Sequence, residues 1–321
     1  MKKIISLLMT LCVVFSMSIT AVNAETVQVV TTETAYGLTI IDNTVTPAKN
    51  YELTGLQLDQ LATTKNHSYS GINNQGTVKI EKDLYGVSLK TLLKQAGFKN
   101  DKQLKKIKSI VFDAAGDTKT INTSDLFATR YYYSKLDKFN AVKGKVLTDK
   151  AQKNRKVVEP IIALGDEEAQ NAKLYFGQAY ASERNWPAFW GGITTITLNK
   201  TAAKTEKCEA PFAWLNKVVP VGTPIAFKPL KGFIYYTING KNPTQKNAII
   251  YNFAPKLNEQ GVNAKVFNKV GTYTIKAVTK DFGKTSSKVS KKTIKVVSVK
   301  EYEKKYADKQ PELLTPNPDN K

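Results

Sequence analysis

Sulfur and imidazole are almost missing from this chain. Its 321 residues hold two cysteines and one histidine, and of 48 basic residues only Arg130, Arg155 and Arg184 are arginine. Each shortage removes a class of chemistry. Cys12 lies in the N-terminal apolar run and Cys208 stands alone in the remainder, so no internal disulfide can staple the mature chain. A zinc site of His and Cys ligands lacks the residues to build it. Nucleophilic catalysis through an imidazole would have to use His67, which sits in the polar stretch TTKNHSYSGINNQG and reads as an exposed loop histidine. Bidentate reading of bases and phosphates favours Arg over Lys, so nucleic acid is not an expected partner.

Long apolar runs are also scarce. The one at the N-terminus follows Lys2 and Lys3, reads IISLLMTLCVVFSMSI, and ends in AVNA with small residues at Val22 and Ala24. That is the layout of a signal peptide cut after Ala24, and the run falls short of the ~20 residues a membrane-spanning helix needs. The expectation is an exported protein without a transmembrane segment. Cys12 lacks the small preceding residues of a lipoprotein cleavage site, so no lipid anchor is expected. Positive charge, by contrast, is abundant. The net charge of +21 falls by two when Lys2 and Lys3 leave. Lysine spread in this way fits either a solvated surface or attraction to an anionic cell wall or surface glycan.

The remaining chain divides by its periodicity. Thr77 to Glu81 alternates as a strand, and Ser88 then caps a helix whose Leu89, Leu92, Leu93 and Ala96 share one face, with Gly97 as the stop. YELTGLQLDQLATT starts as a strand and turns helical at Leu56, Leu58 and Leu61. Ile107, Ile110 and Phe112 mark a strand, Gly116-Asp117 a turn, Lys119 to Asn122 a returning strand, and Thr123 or Ser124 caps a short helix. SKLDKFNAVKGKVLTDKAQKNRK reads as a surface loop, and VVEPIIAL as a buried segment whose proline interrupts regular pairing. KLYFGQ and GITTITLNK are the last strands before a polar connector at 201–211. From 212 to 300 short β-rich runs with turns at NGKNPT, KVG and DFGKTSS indicate an antiparallel sandwich, in which Tyr273, Ile275 and Ala277 face opposite to Thr272, Thr274 and Lys276. The tail 301–321 is charged and ends in prolines, as disordered segments do.

YGVSLKTLLKQAGF, IKSIVFDAAGDTKTINTSDLF and VVEPIIAL…AKLYFGQ…NWPAFWGGITTITL together resemble the oxidoreductase molybdopterin-binding domain of the sulfite-oxidase family, over residues 25–200. That family binds molybdenum through a cysteine thiolate and holds the pterin phosphate with His and Arg. Here residues 25–200 contain no cysteine, and a soft metal needs that donor. Cys208, in the connector, reads as a solvent-facing thiol. Residues 212–300 resemble the chitobiase/β-hexosaminidase C-terminal domain, close to fibronectin type III modules. Tyr235, Tyr236, Thr237, Gly240, Pro243, Thr244 and Tyr251 carry the match. The fold class expected is therefore α+β: a sulfite-oxidase-like mixed domain followed by an antiparallel Ig/fibronectin-like sandwich. The resemblance implies an accessory role for the second module and an ancestral, reduced fold for the first. No cofactor is expected, and molybdopterin only if another donor replaces the missing cysteine.

Three clusters are candidates for chemistry. Asp166, Glu167 and Glu168 read as water-facing or helix-capping carboxylates rather than a calcium or glycosidase pair. Arg130 with Tyr131, Tyr132 and Tyr133 could line a pocket, although in a strand the tyrosines alternate and one or two belong to the core. The segment 184–190 admits two readings: Trp186, Phe189 and Trp190 as a core plug that closes the domain, or Arg184, Asn185 and Trp186 as a rim that meets a sugar face or an anionic ligand. The candidate ligand pocket comprises Arg130, Tyr131, Tyr132, Arg184, Asn185, Trp186 and Trp190, with a small-molecule ligand unspecified. The function expected is an exported binding or accessory protein. A working molybdenum-cofactor oxidoreductase and a carbohydrate- or cell-wall-binding protein are its rivals.

Overall fold

A computed structural model describes residues 37–65, 67–74, 77–136, 153–165, 172–228, 232–244, 247–251 and 266–309. The expected signal peptide, the Asp166–Glu168 run and the end of the tail lie outside these residues. So does most of the expected lysine-rich loop, although Arg155 and Lys156 at its end belong to a strand.

The first half is built from β1 (Gly37–Asp42), β2 (Lys49–Thr54), α1 (Gly55–Leu61), β3 (Tyr69–Ile72), β4 (Val78–Glu81), β5 (Gly86–Ser88), α2 (Leu89–Gln95), α3 (Asp101–Leu104), β6 (Ser109–Ala114), β7 (Asp117–Asn122), α4 (Thr123–Leu126), β8 (Arg130–Tyr133), β9 (Arg155–Val158), β10 (Ile161–Ala163), β11 (Lys173–Tyr175) and β12 (Thr195–Asn199). Local signals account for many of the boundaries. Thr54 and Gln57 form a capping box at α1, the Gln57 amide donating to Thr54 Oγ1 (3.2 Å) and the Thr54 amide to Gln57 Oε1 (2.9 Å). Ser88 Oγ accepts from the Thr91 amide (3.1 Å) and starts α2, whose Leu89, Leu92 and Leu93 are buried.

Two expectations shift. The β6–β7 turn is Ala115–Gly116, one residue earlier than expected, because both residues take the positive φ that a two-residue hairpin needs (53° and 92°). Asn122, rather than Thr123 or Ser124, occupies the cap position of α4 and makes no capping bond there; its side chain instead accepts from the Ala203 amide (2.7 Å).

β12, last in sequence in this half, lies at the centre of the main sheet, whose order is β2-β1-β12-β6-β7. It runs parallel to β1 and antiparallel to β6. Ile196 and Leu198 on it are fully buried, each contributing about 1.5–3 kcal/mol. The sheet therefore completes only when the end of this half is in place. A smaller sheet, β11-β10-β5, and the pairs β3-β4 and β8-β9 flank it. Pro160 falls between β9 and β10, where the chain changes partners.

The second half contains β13 (Phe212–Ala213), β14 (Val218–Pro220), β15 (Phe227–Lys228), β16 (Phe233–Thr237), β17 (Ile249–Tyr251), β18 (Gly271–Lys280), β19 (Ser290–Val297) and α5 (Val299–Lys305). A five-stranded sheet in the order β14-β19-β18-β16-β17 faces the β13-β15 pair. Between them pack Ile225, Phe227, Tyr236, Tyr251, Ile275, Ala277 and Ile294, so the Ile275/Ala277 face is the inner one, as the alternation predicts. On the opposite face of the same sheet, Phe233, Tyr235, Ile250 and Val278 pack with Ile72, Tyr133, Leu136 and Ala181 of the first half. The two halves thus share a core and form one compact unit. The elements mix helix and strand, an α+β class. Among the described residues no helix is long and apolar enough to cross a membrane.

Candidate functional site

The segment between β11 and β12 carries most of the candidate residues, and it is a buried loop. Burying a loop leaves backbone polar groups that need partners, and the side chains here supply them. Gln178, fully buried, donates to the carbonyls of Ala181 (3.1 Å) and Glu183 (3.0 Å) and accepts from Ser70 Oγ (2.7 Å). Asn185, also fully buried, donates to the carbonyls of Phe176 (3.2 Å) and Gly177 (3.3 Å). Glycine is required where other chain segments press on this loop. A Cβ on Gly177 would stand 2.7 Å from the Tyr131 nitrogen, and one on Gly71 2.7 Å from Asn185 Oδ1.

Arg130 is 3% exposed. Its Nη1 donates to Glu183 Oε2 (2.7 Å) and to the Gly177 carbonyl (3.0 Å), and its Nε donates to the Asp125 carbonyl. The guanidinium carbon lies 5.2 Å from the ring centres of both Phe176 and Phe282. Glu183 also accepts from the Ala179 amide (2.7 Å). Burial pushes the Glu183 carboxyl above its ordinary range, while Arg130 and the Ala179 amide pull it back. Tyr131 and Tyr133 face the shared core and Tyr132 the core of the first half, which is the alternation expected of a strand.

Arg184 points elsewhere. It donates through Nε and Nη2 to Asp281 Oδ1 (3.0 and 2.5 Å) and through Nη1 to Asn74 Oδ1 (2.8 Å). Trp186 and Phe189 form an aromatic group with Tyr175, and Trp190 packs against the same core. Gly192 bends the chain at φ 76° into the approach to β12. The seven candidates are therefore distributed over three settings: Arg130, Tyr132 and Asn185 inside, Tyr131 and Arg184 at the seam between halves, and the tryptophans at the core edge. A cleft of about 310 Å³ does lie along the seam, lined by Lys119, Asn122, Asp125, Lys204, Glu206 and Lys284 among others, and includes none of the seven. Phe282 forms part of its wall and also packs under Arg130.

Two single residues correct the sequence reading. His67 is buried rather than exposed, 7% accessible, because its carbonyl accepts from the Leu84 amide (3.0 Å) and the β3–β4 hairpin folds the loop inward. Its Nδ1 has no hydrogen-bond partner among the described residues. Cys208 is buried rather than solvent-facing, its amide donating to the Thr285 carbonyl (2.8 Å). Burial and nearby Asp281 push its thiol above the ordinary range. These side chains do not fit a thiolate-bound metal–pterin group: the thiol is enclosed in the connector with a raised pKa, and Arg130 and Arg184 are held by carboxylates of the chain itself. No group of three or more metal-ligating side chains occurs among the described residues.

Several of the sandwich residues singled out in the sequence make structural contacts. Tyr236 and Tyr251 pack on Phe227, Gly240 turns the chain at φ 75°, and Tyr235 donates its hydroxyl to the Ser182 carbonyl across the seam (2.8 Å). No family model matches the chain, and no curated protein sequence matches it.

Proposed function

We propose that the chain is an exported binding or accessory protein, acting at a cell surface or outside the cell. In this reading a reduced sulfite-oxidase-like domain serves as scaffold, and a chitobiase C-terminal-like sandwich serves as the attachment module. The observation that carries the reading is the commitment of Arg130 and Arg184 to Glu183 and Asp281. A site meant to hold an anionic cofactor or substrate keeps its guanidinium groups available; here both are spent on joining loops and halves. Further support comes from the buried Cys208 and from the large positive charge.

Two measurements on the purified mature protein test it. Elemental analysis and pterin fluorescence are expected to show molybdenum far below one atom per chain, and stoichiometric metal would overturn the reading. Co-sedimentation with bacterial wall sacculi is expected at low salt and to fall as salt screens it. No retention at any salt would also overturn it. The carbohydrate-binding alternative rests on partly exposed Trp186 beside Lys173. It requires salt-resistant binding that Trp186→Ala abolishes.

A further inference from the structure

The positive charge is unevenly divided. Residues 212–300 contain sixteen lysines, no arginine and two carboxylates, Glu259 and Asp281. Asp281 is engaged by Arg184. Two-thirds of the chain's excess charge therefore resides in the sandwich.

Sheet register shows where part of it goes. On the face of the five-stranded sheet that meets the first half, chemistry changes abruptly between strands. Across β16, β17 and the end of β18 it is apolar and covered, through Phe233, Tyr235, Ile250 and Val278. Along the rest of β18 and along β19 the same face carries Thr272, Thr274 and Lys276 opposite Lys295, Thr293 and Lys291. Lys291, Thr293 and Lys295 are exposed. Alternation alone would permit any polar residue here, yet no carboxylate occurs among the six. Among the described residues no ion pair involves Lys276, Lys291 or Lys295. Lys276 and Lys291 stand directly opposite, their Cβ atoms about 5 Å apart; half-buried Lys276 donates to Asn242 Oδ1 (2.9 Å), while Lys291 is exposed. Lys292 emphasises the contrast: it points to the inner side and is consumed by the carbonyls of Ala213 and Leu215.

We propose that this Lys/Thr face docks a linear hydrophilic polymer carrying single phosphate charges along its length, a charge that lysine meets as a point charge. The proposal rests on the binding reading above and names the partner's chemistry. Lys291 and Lys295 are four residues apart on one strand, about 13 Å, with hydroxyls between them. Such a row offers point charges and hydrogen-bond donors to an extended chain. It lacks what other polyanions call for. Stacking platforms and guanidinium forks for nucleic acid are missing. The exposed apolar residues that flank it in sequence lie beyond its ends, Val270 and Val299 past one and Val289 past the other, and do not form one patch.

The test uses the full mature chain with inorganic polyphosphate, polygalacturonate, and phosphatidylglycerol vesicles as probes, read by affinity at low salt. Lys276→Gln/Lys291→Gln/Lys295→Gln is compared with Lys94→Gln/Lys102→Gln/Lys105→Gln, which removes equal charge from exposed positions of the first half. The face variant is expected to lose at least tenfold in affinity for polyphosphate, and its slope of log affinity against log salt to fall by about two. The control variant is expected to change less than twofold. Loss for polygalacturonate without loss for polyphosphate would overturn the phosphate polymer as occupant. Because Lys276→Gln also removes the hydrogen bond to Asn242 Oδ1, melting temperatures are measured for both variants and binding is compared where both are folded, so weakened binding cannot be put down to unfolding. Equal losses in the two variants would overturn the face while leaving the binding reading intact. Vesicle binding without polymer binding would also overturn the face, and binding to none of the probes would overturn it together with the proposed polyanion.

Discussion

Asp281 Oδ1, at the end of β18, accepts Arg184 Nε at 3.0 Å and the Phe282 amide at 3.0 Å, with Arg184 Nη2 at 2.5 Å. One oxygen of the second half thus anchors the loop that closes the first. With Tyr235 bonded to the Ser182 carbonyl and a shared apolar cluster beneath, the halves are expected to unfold together. Calorimetry of the wild type should show one transition. Asp281→Ala should cost about 1–3 kcal/mol and Tyr235→Phe about 1 kcal/mol, each lowering that single transition. Two resolved transitions in the wild type would contradict the shared core.

The Arg130–Glu183 pair lies deeper, with both side chains under a tenth exposed. Glu183→Ala leaves a guanidinium buried without its carboxylate and should cost about 3–5 kcal/mol in denaturant unfolding. Arg130→Met combined with Glu183→Leu should recover most of that loss, because the desolvation cost of both charges disappears. Equal destabilisation in the double variant would mean that the pair is held for more than charge balance.

Ala115 occupies the left-handed region at φ 53°, next to Gly116 at 92°. A side chain with Cβ is strained there, and Asn or Gly tolerates it better. Ala115→Asn should stabilise the protein by up to about 1 kcal/mol, seen as a higher urea midpoint at constant slope. An unchanged or lower midpoint would reject the strain argument.

Alkaline pH should unfold this protein through its tyrosines. Burial is the first cause that pushes Tyr175 and Tyr251 up to about 12. Tyr69, Tyr235 and Tyr236 are raised further by the same burial. The fold holds the neutral phenol, so its pKa is higher folded than unfolded. That contribution to stability is complete below the ordinary value of 10.0 and is lost as pH rises through about 12. Tyrosinate absorbance should appear in two phases, the second coinciding with loss of circular dichroism. A single phase at the ordinary value would show that these rings are accessible.

Much of the local structure is legible in the residues alone. Ser88 and the Leu89, Leu92 and Leu93 stripe specify α2, and the alternation of Tyr273, Ile275 and Ala277 assigns their side of β18. Caps and periodicity involve neighbours a few residues apart, so linear order suffices. The clustering of Arg184, Asn185 and the tryptophans also marks an important segment, but its role depends on distant partners. Glu183 meets Arg130 across 53 positions and Asp281 meets Arg184 across 97. His67 and Cys208 read as exposed because their flanks are polar; the β3–β4 hairpin and the Thr285 carbonyl bury them.

Composition and periodicity by themselves determined a basic, cysteine-poor chain with helix and strand signals in its first half and a β-rich second half. Tertiary structure alone decided that the two arginines serve as internal ties, and that one sheet face is apolar under the first half and lined beyond it with lysines that make no ion pair among the described residues. The reason is physical. An alternating strand states which residues share a side, but only packing determines what covers that side, and coverage decides whether a charge is neutralised, buried or left for a partner.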